Sequence, residues 1–204
     1  GYVAADFLGH QAVVVNRDVL HLFSPVEKRL LWSKSLDALG EGAPFWRHAS
    51  RPQPQAMGTA SRETGRQNAL LTSTNFTGRL AVVQPDYLCL FGRRSISTLD
   101  PRTGDVLWRR DGLPQYSSVV GTSGVVFIVP QDHTKTQAFR ALDGKPLKID
   151  GLGTLISNAM LTRGDSLLVL EQGPSLKLLG IGGAKAIVRL FNPVTKNEQW
   201  KVEL

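Results

Sequence analysis

Apolar positions along the chain fall into short runs separated by Gly, Pro, Asp and Ser, the pattern of strands and tight turns rather than of helices. The runs gather into four groups of four. The first group is Val3–Phe7, Gln11–Val15, Val19–Phe23 and Leu30–Lys34. The second is Leu80–Val83, Tyr87–Phe91, Ile96–Leu99 and Val106–Arg109. The third is Ser118–Val120, Val125–Val129, Thr136–Leu142 and Pro146–Ile149. The fourth is Ile156–Leu161, Ser166–Leu170, Ala186–Phe191 and Glu198–Val202. Several second runs, such as Val125–Val129 and Leu167–Leu170, are apolar at every position. A strand of that kind needs cover on both faces, which a stack of four-stranded antiparallel units supplies and a half-exposed sheet does not.

The turns repeat as well. Ser24-Pro25, Asp100-Pro101 and Asn192-Pro193 are each followed by a tryptophan eight residues after the first residue: Trp32, Trp108 and Trp200. The fullest copy is Leu99-Asp100-Pro101-Arg102-Thr103-Gly104-Asp105-Val106-Leu107-Trp108. Asp100 accepts backbone N–H groups, Pro101 sets the first corner, and Gly104 takes the left-handed conformation that leads into the next strand. A shortened copy without tryptophan is Ala141-Leu142-Asp143-Gly144-Lys145-Pro146-Leu147, its turn placed at Asp143. Repetition on this scale predicts an all-β repeat architecture.

This turn resembles the repeat of quinoprotein-type β-propellers, in which Ala-Leu-Asp-x-x-Thr-Gly-x-x-x-Trp follows a strand, and it is most similar to the non-enzymatic members of that family. The resemblance implies a β-propeller or propeller arc of about four four-stranded antiparallel blades, as a single domain over 1–204. The blades span about 1–34, 79–110, 116–150 and 154–204, with an insertion at 35–78. It gives Trp32, Trp108 and Trp200 the role of docking blades together, with Asp100 and Gly104 shaping the turn. The chain departs from the pattern at Lys28 and Lys196, which stand at the glycine position. Rings of this family usually have about seven or eight blades. The resemblance therefore implies blades elsewhere in a longer parent chain, or a homodimer, and a periplasmic or extracellular setting.

Composition narrows the class. The chain has 204 residues, 42% of them hydrophobic and 20% charged, a balance that supports a packed core and excludes disorder as the default state. Its one cysteine, Cys89, lies inside an apolar run and reads as a buried thiol; no intrachain disulfide can form. No apolar stretch approaches the roughly 20 residues of a membrane-spanning helix.

The net charge is +7, and its distribution follows topology. In an antiparallel four-stranded unit, the loops after the second and fourth strands emerge at one end. That end collects the Gly-, Pro- and Arg-rich insertion 35–78, the loop Gly92-Arg93-Arg94-Ser95 and the loop Glu171–Lys185, for a net charge of +4; the opposite end sums to about zero. The decorated end presents Trp46, Arg47, Arg51, Arg93, Arg94, Lys177 and Lys185 as candidate partner-binding residues. They suit a protein partner first and an acidic polymer second. Asn75-Phe76-Thr77 forms a glycosylation sequon, meaningful only in a eukaryotic secretory setting.

Catalytic motifs are weak. The four histidines, His10, His21, His48 and His133, are scattered without metal-ligand spacing, and the glycines at 180, 182 and 183 do not form a phosphate loop. The carboxylates Asp100, Asp105, Asp143 and Asp165 sit in turns. The expectation is a non-catalytic binding or scaffolding propeller, with no catalytic, cofactor or metal residues. The alternative is a fragment of a dehydrogenase dependent on pyrroloquinoline quinone. Such enzymes resemble this chain in their repeats but use a vicinal cysteine disulfide and clustered carboxylates, which it lacks.

Overall fold

The computed structural model describes residues 3–16, 19–36, 80–92, 94–114, 117–149, 151–172 and 186–204. Among these residues, four four-stranded antiparallel sheets form, each with its strands side by side in chain order. The first sheet comprises β1 (Val3–Leu8), β2 (Gln11–Asn16), β3 (Val19–Ser24) and β4 (Arg29–Ser35). The second comprises β5 (Leu80–Gln84), β6 (Tyr87–Phe91), β7 (Ser95–Leu99) and β8 (Val106–Asp111). The third comprises β9 (Ser118–Gly121), β10 (Val125–Val129), β11 (Gln137–Arg140) and β12 (Pro146–Leu147). The fourth comprises β13 (Ala159–Arg163), β14 (Ser166–Gln172), β15 (Ala186–Asn192) and β16 (Asn197–Glu203). This up-and-down sheet is the unit that propellers repeat as a blade, so the expected all-β plan of four four-stranded blades is present.

The tryptophan offset has a structural cause. Trp32 pairs with Leu22, Trp108 with Thr98 and Trp200 with Leu190, each at the same place in the hairpin of third and fourth strands. In all three hairpins the register shifts between that pair and the next, leaving Leu31, Leu107 and Gln199 as the extra residue. A bulge adds twist and re-aims the side chain beside it. Turn and bulge together set the eight-residue spacing.

The turns share a backbone. Lys28, Gly104, Gly144 and Lys196 all have positive φ, at 52°, 73°, 66° and 57°. In the second sheet Asp100 N–H donates to the Asp105 carbonyl at 2.9 Å and Gly104 N–H to the Asp100 carbonyl at 2.8 Å. In the third sheet Arg140 N–H donates to Lys145 and Gly144 N–H to Arg140, both at 2.9 Å. Arg140, not Asp143, is therefore the counterpart of Asp100, and the third turn begins three residues earlier than its sequence suggested. Asp143 instead caps the turn from within, accepting the Lys145 N–H at 3.1 Å.

Two compact units divide the chain, Gly1–Tyr116 and Ser117–Leu204. In the first unit, Val13, Val15, Leu20 and Leu22 of the first sheet pack with Leu88, Leu90 and Leu99 of the second. In the second unit, Val125, Phe127 and Val129 of β10 pack with Leu167 and Val169 of β14. Every residue of β6 and of β10 is buried, as expected for strands apolar on both faces. β14 differs: Leu167 and Val169 are buried, while Leu168 and Leu170 on its other face are half-buried.

One expected strand is corrected. Ile156 does not open the fourth sheet; it lies in a short helix α1 (Gly153–Ser157), fully buried against β10 and β14. Leu152, Leu155 and Ile156 recur at helical spacing, so one side of this turn meets the core, and the strand starts only at Ala159. The fourth strand of the third sheet is also shorter than expected, ending at Leu147.

Lys196 is exposed and held at φ 57°. A non-glycine residue there carries left-handed strain. Lys196→Gly is expected to stabilise the chain by about 0.5–1 kcal/mol in urea unfolding.

Candidate functional site

The best-formed constellation in the first unit is the seam between its two sheets. β4 contributes Trp32 and Lys34; the β7–β8 turn contributes Pro101, Gly104 and Asp105. The turn is made rigid by its own side chains: Asp100 Oδ1 accepts the Arg102 N–H at 2.7 Å, and Thr103 Oγ1 accepts the Asp105 N–H at 3.2 Å. Trp32 Nε1 then donates to the Pro101 carbonyl at 2.9 Å. The indole lies against Gly104. A Cβ on that glycine would stand 2.9 Å from Trp32 Cε3 and 3.0 Å from Cζ3, well inside ordinary carbon contact. Glycine is needed here twice, for the positive φ and for the ring.

An ion pair closes the seam at its rim. Lys34 Nζ donates to Asp105 Oδ1 at 2.8 Å. The Lys34 hydrogen bond, then that of Thr103, and the lysine's charge hold the Asp105 carboxyl below its usual range. Both side chains are open to solvent, so the pair orients more than it stabilises. Nothing in the local sequence announces this contact, because Lys34 and Asp105 lie 71 residues apart.

The other tryptophans differ in surroundings. Trp108 on β8 is half-buried. Trp200 on β16 is 43% exposed, and among the described residues its indole N–H has no acceptor. Of the residues expected to bind a partner, Arg94 alone is among those described; Trp46, Arg47, Arg51, Arg93, Lys177 and Lys185 lie outside them, as does the insertion beyond Leu36. Arg94 is exposed, yet its Nε donates to the Leu113 carbonyl at 3.3 Å, and Leu113 N–H returns to the Arg94 carbonyl at 3.0 Å. The loop after the second strand thus meets the segment after the fourth, as the antiparallel order requires.

Several titratable groups have local partners. His21 Nδ1 meets Ser33 Oγ across the strand pair at 2.8 Å. Arg189 bridges two acids, Glu171 and Glu198, the latter at 3.2 Å. Asp111 pairs with Arg109 at 2.8 Å, and Asp143 with Arg140 at 2.8 Å. Cys89 is fully buried, and burial raises the phenol pKa of its neighbour Tyr87. Among the described residues, no three of His, Cys, Asp and Glu come together in a way that could hold a metal ion.

No protein-family profile matches the chain, and no curated protein does. Solved structures do resemble it. BamB from Moraxella catarrhalis is 11% identical over 97% of this chain and 50% of its own, with a TM-score of 0.39. The computationally designed Ika8 protein is 10% identical over 98% of this chain and 48% of its own, with a TM-score of 0.48. A quinohemoprotein alcohol dehydrogenase from Pseudomonas putida is 12% identical over 97% of this chain and 33% of its own, with a TM-score of 0.44. The chain spans a third to a half of the length of these structures.

Three substitutions test the seam. Trp32→Phe keeps most of the ring and removes the N–H, and is expected to lower stability by about 1 kcal/mol in equilibrium urea unfolding. Gly104→Ala forces a Cβ into the indole at a left-handed φ and is expected to lower it by about 2 kcal/mol. Lys34→Ala removes the main cause of the Asp105 shift, so a carboxyl NMR titration should move upward. Because the folded Asp105 value is depressed, its contribution is present above the ordinary carboxylate range and fades as pH falls through the folded value.

Proposed function

We propose that this chain is a non-catalytic binding or scaffolding β-propeller domain, mediating protein–protein interaction as part of a larger protein. One observation carries the reading: most of its described acidic side chains are engaged in turns, strands and seams rather than gathered at a centre. Asp100, Asp143 and, in the same role, Asn192 accept the N–H groups of their turns. Asp105, Asp111, Glu171 and Glu198 pair with basic side chains along strands and seams. Hydrogen bonds from Lys34 and Arg109 hold the carboxyls of Asp105 and Asp111 below their usual range, which makes these two poor general bases. The surface proposed for a protein partner is the basic loop end, and the excess of positive charge in its loops supports that choice.

The reading separates from a quinone-dependent dehydrogenase by assay. Reconstitution with pyrroloquinoline quinone and calcium, followed by dye reduction with primary alcohols, is expected to give no turnover above background; robust alcohol oxidation would overturn the proposal. For the binding surface, Arg93→Glu with Arg94→Glu is expected to abolish affinity capture of partner protein at physiological salt while circular dichroism shows an intact fold. Unchanged capture would remove the basic loop end from the proposal.

A further inference from the structure

The turn that opens the fourth sheet carries charges its fold does not need. Arg163 at the end of β13 pairs with Ser166 at the start of β14, which leaves Gly164 and Asp165 as a two-residue loop. Gly164 has φ 56°, and Asp165 lies outside the left-handed region, the pattern of a type II′ hairpin turn. The first sheet makes the same kind of turn: Leu8 pairs with Gln11, and Gly9 at φ 60° is followed by His10. That turn closes without an acid or an arginine. Hairpin geometry therefore explains the glycine at 164 but not the charges on either side of it.

Those charges face solvent. Arg163, Gly164 and Asp165 are all exposed. Asp100, Asp132 and Asp143 commit their carboxylates to N–H groups of their own turns. The side chains of Arg163 and Asp165 have no hydrogen-bond or ion-pair partner among the described residues. Their backbone, in contrast, is fixed by the third sheet, which belongs to the same compact unit. The Gly164 carbonyl accepts the Ser123 N–H at 3.0 Å. Beside it, Gly124 leaves Asp165 Oδ1 in ordinary contact, since a Cβ there would stand 3.7 Å from that oxygen. An arginine and an aspartate thus flank a glycine at a fixed, exposed tip, and a fixed backbone lowers the entropy lost when both are captured.

Such a tip has a definite complement. A carboxylate ligates a hard divalent cation through oxygen, and a guanidinium takes a carboxylate through its fork of donors. A surface that offers both, two residues apart, reads the tripeptide as a unit. We propose that Arg163-Gly164-Asp165 is a recognition site for a protein receptor that binds Arg-Gly-Asp ligands through a bound divalent cation and an acidic pocket. The Asp165 carboxylate fills the open coordination position of the cation, and the pocket takes the Arg163 guanidinium. The turn follows the first strand of its sheet, so it lies at the end opposite the loop after β14. The site is separate from the basic loop end, and it stands or falls independently of the function proposed above.

Surface plasmon resonance of the whole chain over an immobilised integrin ectodomain of the Arg-Gly-Asp-binding class, in manganese buffer, tests it. Saturable binding is expected, lost in EDTA and competed by the peptide Gly-Arg-Gly-Asp-Ser. Asp165→Glu keeps the charge but displaces the carboxylate by one methylene, and it is expected to weaken binding at least about ten-fold. Arg163→Gln is expected to weaken it by a similar factor. Absence of binding, binding that persists in EDTA, or binding that Asp165→Glu leaves unchanged would overturn the proposal. Both side chains are exposed, so the variants keep the fold, as circular dichroism of each verifies.

Discussion

The architecture of the first unit depends on one contact: an indole laid on a glycine, with its N–H satisfied by the carbonyl of the buried proline three residues earlier. Its demands spread outward. The glycine must be bare because the ring sits where a Cβ would stand. The turn must be stiff for its carbonyl to wait at hydrogen-bond distance, and Asp100 and Thr103 stiffen it. The ring must leave its strand at the right angle, and the bulge at Leu31 provides that. The leucine and valine core behind it fills the space the seam encloses. A half-buried tryptophan is suited to this position because its body is apolar and its edge carries one donor that needs one acceptor.

The same economy explains where glycine was replaced. Four turns adopt the same left-handed position, but only two are glycine. Backbone conformation alone does not decide the residue, since lysine tolerates φ near 52° and 57° at Lys28 and Lys196. Burial decides it: glycine occurs where the position is enclosed, lysine where it is open. At Gly104 the enclosing atoms are those of the Trp32 ring, while Lys28 and Lys196 are open to solvent.

Electrostatics plays a secondary part. The ion pairs are solvent-exposed or half-exposed and fix orientations rather than hold the sheets together. Their functional consequence is indirect. Asp105 and Asp111 are held in the charged form by Lys34 and Arg109, so these acids serve the seam and the strand on which they sit.

Sixteen strands in four groups were legible in the sequence because alternation, apolar runs and Pro- and Gly-bearing turns are local signals. The fixed distance from turn to tryptophan was legible for the same reason. The third turn was misplaced by three residues because Asp143 caps its turn from inside while Arg140 takes the position that aspartate holds in the second sheet. Ile156 read as strand because one helical turn of apolar residues is too short to show its period. Lys34 with Asp105, and Arg94 with Leu113, were invisible because partners far apart in sequence leave no mark on their neighbours. By itself the sequence determined the strands, the turns and the residues that needed cover, all consequences of backbone and side-chain preference at short range. Only the tertiary structure decided which faces were covered, because the cover for a strand comes from another sheet.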